Sequence, residues 1–349
     1  MNFESYILPH IWNLKPYSSA RDEFKGNEGV FLDANENPIG SATDESWNRY
    51  PDPLQHEIKS ILTDIKQCQT SQIFLGNGSD EAIDLLIRMT CKPNEHEIIL
   101  CPPTYGMYEV SASINDIRIN RVNLTETYQL DIEGIKSAIN AKTRLIFLCS
   151  PNNPTGNKLN RTDLYEVLNS FQQGFVVIDE AYIDFSDEAS FISELKNFPQ
   201  LIVLQTLSKA YGLASLRLGM AFADPILINL FNKIKPPYNI GGATQKIVLE
   251  ALGNKTFVKE SIKLIEVEKD NLVNHLQSLT NVLQVFPSHA NFLLVKFKKA
   301  QQLFDYLISE KVITRNRSNV SLCEDSIRIT IGLPEENAYL LKKITDFYA

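Results

Sequence analysis

The sequence predicts an α/β protein: a large domain built on a mostly parallel sheet covered by helices, followed by a smaller α/β domain. Three observations predict it. Short, continuously apolar runs alternate with amphipathic segments from Ile73 to about residue 235, which is the pattern of strands buried on both faces. Gly- and Pro-bearing turns follow several of those runs. The texture changes after Lys235-Pro-Pro237, where a long helical stretch and two further strand–helix pairs close the chain. A length of 349 residues with 44% hydrophobic residues is ample for two such units.

The elements follow in order. Residues up to about 30 are polar and irregular and read as an N-terminal arm. Ile73–Leu75 is a strand, Gly76-Asn-Gly-Ser79 a turn, and Asp80–Met89 a helix with Ser79 as its N-cap and acids in its first turn. Strands are expected at Ile98–Cys101, Leu145–Cys149, Phe175–Ile178 and Leu201–Leu204, with a helix at Arg161–Ser170. In the C-terminal part a helix is expected from Thr256 to Leu279, a strand at Asn291–Val295, a helix from Ala300 to Glu310, a strand at Ser326–Thr330 and a helix from Pro334. The expected division is 40–239 for the large domain, with 1–39 and 240–349 forming the arm and the small domain.

Composition narrows the function. Net charge is −8, from 34 Lys+Arg against 42 Asp+Glu, which argues against a nucleic-acid binder. The five cysteines are scattered and form no C-x-x-C pair, so reduced thiols and a cytoplasmic setting are expected. The five histidines are far apart, and no metal site is expected. The N-terminus lacks the pattern of a signal peptide, and no apolar run approaches the ~20 residues of a membrane span.

The residues that carry chemistry fall just after predicted strands, where α/β sheets bind ligands. Thr206-Leu-Ser208-Lys209 with Arg217 is the most informative. A Lys there can form an imine with an aldehyde cofactor, while a Ser hydroxyl and an Arg fork hold a phosphate. A pyridine aldehyde of that kind needs a buried carboxylate at its ring nitrogen, which Asp179 offers. It needs donors to its phenolate oxygen, for which Tyr182 and Asn153 are candidates. It needs a helix N-terminus for its phosphate, supplied by Ser79 and the amides of Ser79 and Asp80 together with Ser208 and Arg217. Tyr105 could stack on the ring.

Each piece alone has a structural alternative. Asp179 could cap a helix, Asn152-Asn-Pro-Thr-Gly156 could be a tight turn, and Tyr105 could be a core aromatic. Asp179-Glu180 also suits a nucleotide hydrolase, but no G-x-x-x-x-G-K-[ST] loop accompanies it.

Taken together, Gly76-Asn-Gly-Ser-Asp-Glu81, Cys101-Pro-Pro-Thr-Tyr-Gly-Met107, Ser150-Pro-Asn-Asn-Pro-Thr-Gly156, Asp179-Glu-Ala-Tyr182 and Ser208-Lys209 with Arg217 resemble the aspartate-aminotransferase group, fold type I, of pyridoxal-phosphate enzymes. Leu14-Lys-Pro-Tyr17, Asp33-Ala-Asn-Glu-Asn-Pro38, Arg49-Tyr-Pro-Asp-Pro53, Ile313-Thr-Arg315 and Ile327-Arg-Ile-Thr330 are similar to the histidinol-phosphate aminotransferases within it. The resemblance implies pyridoxal 5'-phosphate bound through a Schiff base to Lys209. It also implies transfer of the amino group of L-histidinol phosphate to 2-oxoglutarate, in histidine biosynthesis, by a homodimer with shared active sites.

In that family the tyrosine matching Tyr50 reaches the partner's cofactor phosphate. The residues matching Tyr17, Arg315 and Arg328 surround the substrate's anionic end. Histidinol phosphate has no carboxylate, so its phosphate and the carboxylate of glutamate must use the same arginines. Arg328 could instead be a surface charge, Tyr17 arm packing and Tyr50 interface packing. Ala214-Ser215 and Gly241-Gly-Ala-Thr244 depart from the family's usual pattern.

Rival activities on the same fold are an aromatic or broad-specificity transaminase and a phosphothreonine decarboxylase. A regulator carrying an aminotransferase-like module is disfavoured, since it would need a basic DNA-binding domain. Loss of activity is disfavoured by the joint presence of Lys209, Asp179, Tyr182 and Arg217.

Overall fold

A computed structural model describes residues 1–17 and 29–349. Among the described residues the strands form two sheets, one of seven strands and one of four.

The large sheet contains β1 (Ile73–Asn77), β2 (Glu97–Leu100), β3 (Arg118–Arg121), β4 (Thr143–Cys149), β5 (Phe175–Asp179), β6 (Leu201–Thr206) and β7 (Leu218–Phe222), in the order β1-β7-β6-β5-β4-β2-β3. All run parallel except β7, which pairs antiparallel with both β1 and β6. Except in β3, the alternation along the strands buries both faces. Val176 and Ile178 enter one apolar cluster, with Ile146 and Leu148. Phe175 and Val177 enter the other, with Leu145 and Phe147.

β7 and β3 were not among the expected strands. Leu218-Gly-Met-Ala-Phe222 is an apolar run of the right length, but it directly follows the loop of Lys209 and reads as that loop's continuation. Its antiparallel setting has a consequence for the site. Antiparallel neighbours can be joined by a short loop, whereas parallel ones need a crossover. The loop 207–217 therefore stays at the carboxyl edge of β6 and holds Lys209 and Arg217 beside one another.

The helix after β1 runs from Ser79 to Thr90, and its N-cap is Gly78 rather than Ser79. Gly78 has φ +75°, and a Cβ there would lie 2.6 Å from Arg217 Nη2. Gly219 of β7 is constrained by space instead, since a Cβ on it would sit 2.0 Å from the backbone amide nitrogen of Ser79. Two glycines thus let the start of this helix touch both β7 and the arginine that precedes it.

The first residues of the arm are docked, not irregular. Phe3, Ile7 and Leu8 are buried, the Phe3 ring packs on Phe175 at 6.2 Å, and the amide of Leu8 donates to Met89 O at 2.8 Å.

The small sheet has the order β10-β11-β9-β8, all antiparallel, from β8 (Val282–Val285), β9 (Phe292–Phe297), β10 (Arg315–Asn316) and β11 (Ser326–Thr330). Helices Lys255–Ser278, Ala300–Ser309 and Pro334–Tyr348 cover one face, burying Leu293, Val295, Phe297, Ile327 and Ile329. The opposite face turns toward the large sheet: Leu294 joins the large core, and Phe292 meets the ring of Tyr182 edge-on at 5.1 Å. Helix Gly242–Gly253 packs back onto helix His56–Lys66, with Val248 and Leu252 in the same cluster as Ile58 and Leu62.

Candidate active site

A cavity of about 710 Å³ opens at the carboxyl edge of the large sheet, beneath the small one. Five connections converge on it: Gly78 to Asp80 after β1, Pro102 to Met107 after β2, Asn153 and Pro154 after β4, Ala181 and Tyr182 after β5, and Ser208, Lys209 and Arg217 of the loop after β6. The small sheet contributes Arg315, Arg317 and Arg328.

Asp179 ends β5 at the floor and is 2% exposed. Its Oδ2 accepts from the Tyr108 hydroxyl at 2.5 Å and its Oδ1 from the amide of Ala181 at 3.0 Å. Burial pushes its carboxyl up to about 6, against the opposing pull of those two hydrogen bonds. Glu180, one residue on, points away into a closed network. It accepts from Ser190 Oγ, the amide of Phe191 and Gln205 Nε2 at 2.5, 2.7 and 2.8 Å. The Asp-Glu pair is therefore split between a residue facing the cavity and a structural one.

The Lys209 ammonium lies over the Tyr182 ring, 5.5 Å from its centroid. Burial lowers its pKa, and the charges of Arg328 and Arg217 push the same way; Asp179 and Asp80 oppose them. The amine is thus nearer to its neutral, nucleophilic form than a solvated lysine. The Tyr182 phenol is raised by burial, which keeps it a neutral donor.

At the helix start, the carbonyl of Arg217 accepts from the amide of Gly78 at 2.5 Å. Arg217 Nη2 lies 3.4 Å from Asp80 Oδ2, and the Tyr105 hydroxyl donates to Asp80 Oδ1 at 3.1 Å. Arg217 itself has φ +54°, a left-handed backbone that returns the chain into β7. Thr206 Oγ1 donates to Ser208 Oγ at 3.0 Å and orients that hydroxyl.

β10 and β11 set Arg315 directly opposite Arg328, and Arg328 opposite Leu294. Cross-strand partners share a face, so both guanidinium groups look toward the large sheet. Arg328 Nη1 donates to Asn153 Oδ1 at 2.6 Å, and its guanidinium lies over Phe292, 5.2 Å from the ring centroid. Burial and the neighbouring charge of Arg315 act to lower its pKa.

Lys209, Ser79, Asp80, Tyr105, Asn153, Asp179, Tyr182, Ser208, Arg217, Arg315 and Arg328 all line this one cavity. Tyr17 and Tyr50 do not: Tyr17 is 76% exposed, and Tyr50, half exposed, stacks on Tyr238 at 4.4 Å. Tyr108 and Arg317 were missed from the sequence, and Thr206 was read only as part of the Lys209 stretch, without its hold on Ser208. Tyr108 stands three residues after Tyr105 with a hydroxyl that needs a partner once buried, and Arg317 two residues after Arg315. Those spacings were the available signals. Among the described residues no group of three His, Cys, Asp or Glu side chains could hold a metal ion.

The donor set suits a phosphorylated pyridine aldehyde. It combines a single amine with lowered pKa, a buried carboxylate with lone pairs left for a ring N–H, and a helix N-terminus flanked by Ser208 and Arg217. The glycine at 78 leaves that N-terminus open to a close-approaching anion.

Comparison with known proteins agrees with this. The chain matches the family of class I and II aminotransferases over residues 20–344. It is 51% identical over 340 residues to a histidinol-phosphate aminotransferase of Cytophaga hutchinsonii, covering 97% of each chain. It is 50% identical to one of Parabacteroides distasonis, again covering 97% of each. Among solved structures, it is similar in fold to the histidinol-phosphate aminotransferase from Sinorhizobium meliloti in complex with pyridoxal-5'-phosphate, with a TM-score of 0.79, 23% identity and 90% of each chain covered.

Proposed function

Because the chain belongs to the class I and II aminotransferases, we propose that it transfers the amino group of L-histidinol phosphate to 2-oxoglutarate. Pyridoxal 5'-phosphate is its resident cofactor, and the products are imidazole acetol phosphate and glutamate, in histidine biosynthesis. The observation that carries this reading is the convergence, in one cavity, of Lys209, Asp179 and Arg217 with Arg315, Arg317 and Arg328, which among the described residues pair with no carboxylate. The names of the two relatives at 50–51% identity support the substrate.

The bound cofactor supplies a carbonyl for amine exchange and a ring that withdraws electrons from the substrate's α-carbon. This chain's residues do the rest. The amides of Ser79 and Asp80, the Ser208 hydroxyl and the Arg217 fork bind the phosphate. Asp179, fixed by Tyr108, holds a proton on the ring nitrogen. Tyr182 and Asn153 donate to the phenolic oxygen, and Tyr105 covers the ring face. Lys209 would hold the cofactor's carbonyl end, and its amine, with its lowered pKa, would serve as the acid–base group for the substrate's α-proton. Arg315 and Arg328 orient the anionic end of either substrate, and Tyr17, which lies outside the cavity in this chain, would join them from the arm.

The reading includes a homodimer in which Tyr50 serves the partner's phosphate site, and a cytoplasmic location. Among the described residues no helix is long and apolar enough to cross a membrane. It also divides the chain into residues 40–239 as the cofactor-binding unit and 1–39 with 240–349 as arm and small domain. The packing of helix Gly242–Gly253 on helix His56–Lys66 makes that segment the bridge between the two.

The test is a transamination assay on a substrate panel. Histidinol phosphate with 2-oxoglutarate should give the highest kcat/KM. A large preference for phenylalanine, or release of carbon dioxide from phosphothreonine without a keto acid, would overturn the assignment.

A further inference from the structure

A third guanidinium enters the cavity beside the two already described. Arg317 follows β10. Its amide donates to Ser326 O at 2.9 Å and its carbonyl accepts from Val320 N at 2.8 Å, so its backbone is held on both sides. Its side chain lines the same cavity as Arg315 and Arg328. Its Nε is buried and has no hydrogen-bond partner.

Among the described residues no carboxylate forms an ion pair with Arg315, Arg317 or Arg328. The chain does not lack acids, with 42 Asp+Glu against 34 Lys+Arg; Asp80 and Asp179 line the same cavity, yet neither pairs with these three arginines. Burial, then the charges of Arg328 and Arg315, lower the proton affinity of Arg317. Three like charges packed this way repel one another and favour an anion that can satisfy all three.

The two anions of the reaction differ in a way that three arginines can read. A carboxylate carries one charge on two oxygens, which two forked guanidinium groups saturate. A phosphate monoester carries about −1.5 to −2 at neutral pH and three terminal oxygens. The additional charge and the additional oxygen call for one more fork.

We propose that Arg317 is a specificity-determining residue that engages the phosphate of the amino-phosphate substrate and is not needed for the carboxylate of glutamate. The proposal rests on the transaminase reading above and sharpens it: Arg315 and Arg328 are common to both half-reactions, and Arg317 belongs to one.

The test uses cofactor-loaded wild type, Arg317→Gln and Arg317→Lys, with each half-reaction measured separately. Arg317→Gln should lower kcat/KM for histidinol phosphate about 10- to 100-fold and change that for glutamate by no more than about threefold. Inorganic phosphate, tested as an inhibitor of the glutamate half-reaction, should weaken by a similar factor. Equal losses in both half-reactions, or none in either, would overturn the proposal.

If Arg317→Gln does not fold, Arg317→Lys carries the same comparison. It keeps the charge but not the fork, and its smaller loss should again be confined to phosphate ligands; a uniform loss would overturn the proposal. If wild type fails to turn over histidinol phosphate, the substrate assignment falls, while the phosphate-inhibition arm still judges Arg317.

Discussion

The hydroxyl of Tyr108 donates to Asp179 Oδ2 at 2.5 Å, with both side chains withdrawn from solvent. Tyr108 is itself fixed, stacked on Phe147 at 4.8 Å and meeting Tyr105 edge-on at 5.4 Å. The carboxylate is thus oriented by a neutral donor that cannot pair with its charge, so Asp179 remains available to a cation in the cavity.

That arrangement costs stability in the cofactor-free protein. The Asp179 pKa is raised from 3.8 to about 6 in the fold, so its favourable contribution is complete below the unfolded pKa and is lost as pH rises through about 6. Asp179→Asn should therefore stabilise the cofactor-free protein above pH 7, by at most about 3 kcal/mol, with the gain vanishing below pH ~4. Thermal unfolding across pH checks this, and a constant difference at all pH values would contradict it. Turnover of the same variant should fall by more than about 100-fold.

Tyr108→Phe removes the donor and leaves the ring packing. It should lower kcat with little change in KM, and cost about 1–3 kcal/mol through the unsatisfied carboxylate oxygen. An effect on KM alone would show that Tyr108 does not act through Asp179.

Lys209→Ala should abolish turnover, by more than about 1,000-fold, while the protein still folds and binds the cofactor without a covalent link. Borohydride reduction of the loaded wild type should fix the cofactor's mass on the peptide containing residue 209; its appearance on another lysine would displace Lys209 from the role. The lowered pKa of Lys209 also predicts that its amine reacts with aldehydes at lower pH than the exposed lysines do.

Gly219→Ala forces a Cβ against the amide of Ser79. Overpacking of this kind costs about 1–3 kcal/mol, and here the shift falls on the proposed phosphate cradle. The expected result is a lower Tm together with a weaker cofactor Kd, measured by titration of the cofactor-free variant. Unchanged affinity would place the phosphate elsewhere.

Arg328→Gln should raise KM for histidinol phosphate and for glutamate alike, by about 10-fold or more. A rise for only one of them would separate the two anion sites.

Much of this fold was legible because its strands are buried on both sides, leaving unbroken apolar runs such as Leu145–Leu148 and Phe175–Ile178. β7 was hidden because nothing in its composition separates it from the functional loop before it, and β3, with its Arg118 and Arg121 ends, shows no apolar run at all. In the site, residues with chemistry at fixed spacing, such as Ser208, Lys209 and Arg217, could be read directly. Tyr108 could not, because its hydroxyl acts through a partner 71 positions away and local sequence describes it equally well as a core ring. The cap at Gly78 was misplaced by one residue, since Ser is the commoner cap and only the left-handed backbone, φ +75°, shows why glycine stands there.

Asn153 is one point where the connections of the large sheet meet the small one. Its carbonyl oxygen is gripped by Arg328, while the residue itself lines the floor of the cavity. An incoming anion that recruits Arg328 competes for the guanidinium that steadies this amide. Anion capture at the arginine end and the set of the Asn153 amide at the chemical end thus draw on the same guanidinium.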